Sequence, residues 1–88
     1  MTLMKVRKPT PEEIFETKNW SIWSKEVSKF DWKYNERECC FILEGEATVK
    51  DIDGNIIRFK SGDFVVFEKG LSCEWEVLSA IKKKYKFC

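Results

Sequence analysis

The sequence predicts an all-β domain, a small sandwich or barrel that carries one short N-terminal helix. Three observations lead there. Beyond residue 20, apolar and aromatic residues recur at every second position. Glycine-containing turn signals, at Asp53-Gly54, Ser61-Gly62 and Lys69-Gly70, separate these runs at short intervals. The aromatic share of 15% gives a chain of 88 residues large packing units for a core of limited volume. One domain over residues 1–88 is expected, with an arm and short helix over 1–19 and a barrel over about 20–88.

Pro9-Thr10-Pro11-Glu12-Glu13 reads as a helix start: Thr10 caps, Pro11 suits the first helical position, and Glu13 completes a capping box. The helix should end by Lys18 or Asn19, with extended chain from Trp20. Phe30, Trp32 and Tyr34 alternate with Asp31, Lys33 and Asn35, so the aromatics share one strand face. Asn35-Glu36-Arg37 is a turn. Glu38 to Leu43 forms a strand apolar on both faces, Glu44-Gly45 breaks it, and Ala47 to Lys50 continues. Asp53-Gly54 signals a hairpin between Val49–Ile52 and Asn55–Phe59. Phe64 to Phe67 is a short strand. Cys73, Trp75 and Val77 share the buried face of another, and Ile81, Lys83, Tyr85 and Phe87 alternate with Lys82, Lys84 and Lys86 in the last.

Composition excludes several function classes. The 16 basic and 15 acidic residues balance to +1, without the clustered positive excess of a nucleic-acid footprint. The run Lys82, Lys83, Lys84 and Lys86 is expected as a solvated strand face that discourages edge pairing. No stretch reaches the ~18 apolar residues of a membrane span. Met1-Thr2-Leu3-Met4-Lys5 lacks the apolar core of a signal peptide, so a cytoplasmic protein with reduced thiols is expected. Cys39, Cys40, Cys73 and Cys88 form no Cys-x-x-Cys pair, and a vicinal Cys39–Cys40 bridge would be strained, so free thiols are expected. Without any histidine, imidazole-based metal centres and hydrolytic triads are excluded.

Two stretches carry a family resemblance. One is Trp32-Lys33-Tyr34-Asn35-Glu36-Arg37-Glu38 with Gly45 beyond it; the other is Gly62-Asp63-Phe64-Val65-Val66-Phe67-Glu68-Lys69-Gly70-Leu71-Ser72-Cys73. Their spacing resembles the two motifs of the cupin superfamily, a jelly-roll β-barrel. Glu38, Gly45, Gly62 and Gly70 match that pattern. Trp32 and Tyr34 stand where cupins carry paired histidines, Cys73 stands at the second-motif histidine, and Glu68 at the usual proline. Phe30-Asp31-Trp32 and Lys69-Gly70-Leu71-Ser72-Cys73-Glu74-Trp75 further resemble short single-domain cupins related to the cupin domain of ureidoglycine aminohydrolase. The resemblance implies a homodimer. It also implies a divalent metal in the barrel, but the imidazoles that would hold one are missing, and no cofactor is predicted.

In that register Trp32, Tyr34, Glu38, Cys40, Cys73 and Trp75 face the interior, because 32 and 34, 38 and 40, and 73 and 75 are same-face pairs. Trp32, Tyr34 and Trp75 read first as core, since aromatics fill small barrels well, and second as a stacking wall for a small ligand. A buried Glu38 needs a partner; Tyr34 could donate to it, and Lys83 or Arg58 could reach it. The first expectation is therefore a small-molecule-binding protein. Trp32, Cys40, Trp75 and Lys83 would contact the ligand, and Glu38, Tyr34 and Cys73 would be candidate catalytic groups. Two alternatives stand beside it. One is a non-catalytic oligomerisation or interaction module docking through Trp20, Ile22 and Trp23. The other is a metal-dependent enzyme with carboxylate and thiolate ligands. The residues specify no reaction.

Overall fold

A computed structural model describes residues 3–88. Met1 and Thr2, part of the expected arm and of the expected non-signal N-terminus, lie outside the described residues. Among the described residues seven strands follow one another: β1 (Met4–Arg7), β2 (Ser21–Lys25), β3 (Ser28–Lys33), β4 (Glu38–Asp51), β5 (Ile56–Lys60), β6 (Phe64–Phe67) and β7 (Ser72–Phe87). Helix α1 (Pro11–Glu16) leads into a 3-10 turn over Thr17–Asn19. The capping box forms as its residues dictate: Glu13 N donates to Thr10 Oγ1 at 3.2 Å, and Thr10 N donates to Glu13 Oε1 at 2.9 Å. Among the described residues no helix is long and apolar enough to cross a membrane.

All pairings are antiparallel, in the order β1-β6-β4-β7-β2, with β5 also on β4 and β3 also on β7. The long strands β4 and β7 pair with each other along most of their length. The first part of β4 holds β6 and its second part β5, while the first part of β7 holds β3 and its second part β2. Two strands thus run through both layers of a β-sandwich, a jelly-roll arrangement of the kind the resemblance implied. The register shifts around Glu44 and Glu46 mark where they bend.

Three expectations change here. Glu44-Gly45 does not break the strand; Gly45 sits inside β4 at φ +88°, where the extra residues of the bulge let the chain turn without losing its ladder. The last two expected strands are one, because Leu78, Ser79 and Ala80 remain extended between the buried faces of Val77 and Ile81. The arm contributes a strand: β1 pairs β6 from Met4↔Phe67 to Arg7↔Phe64.

Trp75 lies at the centre of the core. The ring of Phe30 stacks on it at 6.0 Å, and Phe59 and Trp23 meet it edge-on at 5.4 and 5.8 Å. Phe67 links Trp75 to Tyr34, whose ring stacks on Phe67 at 4.7 Å.

The free-thiol expectation fails for two cysteines. Cys39 is bonded to Cys88, with Cα atoms 6.1 Å apart. Antiparallel pairing of β4 with β7 sets Glu38 against Phe87 and Cys39 against Lys86, so the chain end comes within bonding reach of Cys39. Cys40 and Cys73 remain free. Protein unfolded without reductant should therefore yield two alkylatable thiols, at Cys40 and Cys73, by peptide mass spectrometry. Four labelled cysteines would show that the bridge does not form.

Candidate functional site

Between β2, β3 and the second part of β7 the sandwich opens into a cavity of about 640 Å³, walled by Trp23, Phe30, Trp32, Trp75 and Tyr85. Parity puts them there. Phe30 and Trp32 are same-face residues of β3, and Lys83 and Tyr85 are same-face residues of β7. Pairing of β2 with β7 then sets Trp23 directly against Lys83.

At the bottom lies an ion pair. Lys83 Nζ donates to Glu38 Oε1 at 2.7 Å, with Lys83 5% exposed and Glu38 7% exposed. The expected solvated basic face therefore holds for Lys86 but not for Lys83. Inward parity carries Lys83 into the interior, where Glu38 neutralises it and aromatic faces surround it. Its ammonium lies 4.9 Å from the ring centroids of both Trp23 and Trp75, within cation–π range. Glu38 also accepts from the Cys40 thiol at 2.7 Å. Burial pushes that thiol well above its usual range, so Cys40 acts as a neutral donor.

Tyr34, buried at the end of β3, accepts from Trp75 Nε1 at 3.2 Å. Burial, reinforced by the Glu38 charge, raises its phenol far above the ordinary value and keeps it a neutral hydroxyl. Trp32 stands at the rim, 53% exposed, edge-on to Tyr34. Arg58, considered as a partner for Glu38, pairs instead with Glu46 on the outer surface.

The structure thus gathers Trp32, Tyr34, Glu38, Trp75 and Lys83 around one cavity, with Cys40 packed against Glu38. Cys73 lines a separate depression of about 550 Å³ beside Trp32, Asp51 and Glu74. Its Sγ is 3.5 Å from the Trp32 carbonyl, and burial, helped by Asp31 and Asp51, raises its pKa to about 11. At neutral pH it is a thiol rather than a nucleophilic thiolate. Trp23, Phe30 and Tyr85 were not among the residues expected to contact a ligand. Parity placed Phe30 with Trp32 and Tyr85 with Lys83, but only the β2–β7 register reveals Trp23.

Metal-binding cupins hold their ion among imidazoles and a carboxylate. Here the equivalent positions carry Trp32, Tyr34, Glu38 and Cys73. Glu38 Oε1 is committed to Lys83 and Cys40, and a cation placed beside it would meet the Lys83 ammonium. Among the described residues no three histidine, cysteine, aspartate or glutamate side chains converge as ligands. This donor set does not fit a cupin metal.

Comparison with known proteins agrees with the fold. Residues 13–85 match the EutQ-like cupin domain. A crystal structure of a DUF861 family protein from Thermotoga maritima is 46% identical, with a TM-score of 0.92, over 97% of this chain and 99% of that one. The putative ethanolamine utilization protein Q of Salmonella typhimurium is 23% identical, TM-score 0.68, over 93% of this chain and 66% of that one. The EutQ protein of Clostridium difficile is 23% identical, TM-score 0.67, over 73% of this chain and half of that one. The last two likenesses speak for the fold alone. No curated protein sequence matches. The chain belongs to the EutQ-like cupin family.

Proposed function

We propose, taking this EutQ-like cupin membership as the premise, that the protein binds a small organic metabolite in the aromatic cavity between β2, β3 and β7. The observation that carries the reading is the Glu38–Lys83 pair at the floor of an open, aromatic-walled space. Apolar walls with a few convergent polar groups are the composition of small-molecule sites, and about 640 Å³ lies within their usual range. A packed interior would have suited a purely structural module; here Trp32 stands half in solvent over an accessible space. The narrower resemblance to the ureidoglycine aminohydrolase group, through Phe30-Asp31-Trp32, supports a nitrogen-containing metabolite. A cytoplasmic homodimer belongs to the same proposal.

Indole is a suitable probe, because it is planar, apolar and the size of one wall residue. In a proton–nitrogen NMR titration it should shift the side-chain N–H resonances of Trp23, Trp32 and Trp75 saturably, and leave that of Trp20, which packs on Phe64, in place. Shifts confined to Trp20, or none, would refute binding in this cavity.

A further inference from the structure

The polar groups that face the cavity have unspent hydrogen-bonding capacity of a particular kind. The Tyr34 hydroxyl accepts from Trp75 Nε1 and donates to no protein acceptor among the described residues. Accepting that bond orients its own O–H away from the indole. The Lys83 ammonium has three N–H bonds and one side-chain oxygen partner. Glu38 receives both Lys83 and Cys40 on Oε1 and has no partner on Oε2. No fully enclosed side-chain nitrogen or oxygen among the described residues lacks a partner, so Oε2 of the cavity-lining Glu38 is not fully enclosed. Two donors and one acceptor therefore belong to residues that line one space.

The charges at the floor cancel. Lys83 and Glu38 neutralise each other at the floor. A charged group that reached the floor would be desolvated against apolar walls without a surplus counter-charge there. A carboxylate would compete with Glu38 for Lys83, and an ammonium would compete with Lys83 for Glu38.

Resting on the binding reading above, we infer that the site selects an uncharged planar ligand bearing a carboxamide. Its carbonyl oxygen accepts from Tyr34 and Lys83, its N–H donates to Glu38 Oε2, and its planar body lies against Trp32 and Trp23. An amide offers the complementary acceptor and donor on adjacent atoms without charge. Neither acid, amine nor ketone does so.

Four probes of similar size separate these cases by calorimetry: benzamide, acetophenone, benzoate and benzylamine. Benzamide should bind about tenfold more tightly than acetophenone, the loss of one hydrogen bond, and tighter still than the two charged compounds. Tyr34→Phe keeps the ring stacked on Phe67 and should weaken benzamide by about tenfold; its thermal melt checks that the variant is folded. Benzoate or benzylamine binding as well as benzamide, or an unchanged benzamide affinity in a folded Tyr34→Phe, overturns the amide assignment while indole binding still supports the cavity. Failure of all four probes and of indole overturns both.

Discussion

Lys83→Met should destabilise the protein by about 3–5 kcal/mol, the usual cost of leaving one member of a buried ion pair alone. The reason lies in the surroundings of Glu38. Glu38 is 7% exposed, its one ammonium partner is Lys83 at 2.7 Å, and the neutral Cys40 thiol cannot replace that charge. A domain of this size has about 5–15 kcal/mol of stability in total, so the single variant loses about a fifth or more. The double variant Glu38→Leu/Lys83→Met removes both charges, and exchanging a whole buried pair for apolar groups is often neutral. It should recover most of the loss. Urea unfolding read by tryptophan fluorescence checks both. A Lys83→Met variant as stable as the natural protein would mean that water, not Lys83, solvates Glu38.

Gly45→Ala should be the most damaging change to a non-charged residue. A Cβ there would lie 2.2 Å from the Ala80 carbonyl oxygen and 2.7 Å from Ile81 Cα and the Ser79 oxygen, all backbone atoms of β7. None is the free end of a side chain that can swing aside. The backbone at φ +88° adds the ordinary penalty of a left-handed conformation, about 1–2 kcal/mol. With the clash included, the loss should exceed about 4 kcal/mol or abolish folding. Gly54 is the control, since it shares the φ of +88° but has nothing within 4 Å of its Cβ position. Gly54→Ala should cost only the conformational part, about 1–2 kcal/mol. Equal losses in urea unfolding would show that β4 and β7 are not packed this closely at the bulge.

The two glycines also show what was legible in the sequence. Asp53-Gly54 announces a hairpin by turn chemistry alone, because everything it needs is local. Gly45 read as a brief break in its strand, because its purpose, a close pass by Ala80, depends on a residue 35 positions away. The same division runs through the site. Two-residue alternation was enough to group Tyr34 with Trp32 and Trp75 with Cys73, since strand faces are a local property. It could not say that Trp32 reaches a rim and Cys73 a different depression. Lys83 shows both sides: its run of lysines suggested solvent, while its parity with Ile81 and Tyr85 pointed inward. Parity won because Glu38 waits there. The Cys39–Cys88 bridge was illegible for the same reason as Gly45. It exists only through the register that brings the last residues of β7 beside the first of β4.

The cavity's occupancy is tested most directly by a crystal structure of the protein grown with indole. The account requires indole density against Trp23, Trp32 and Trp75, above a Glu38–Lys83 pair still in contact. A cavity closed by inward movement of Trp32, with indole bound elsewhere on the surface, would contradict it.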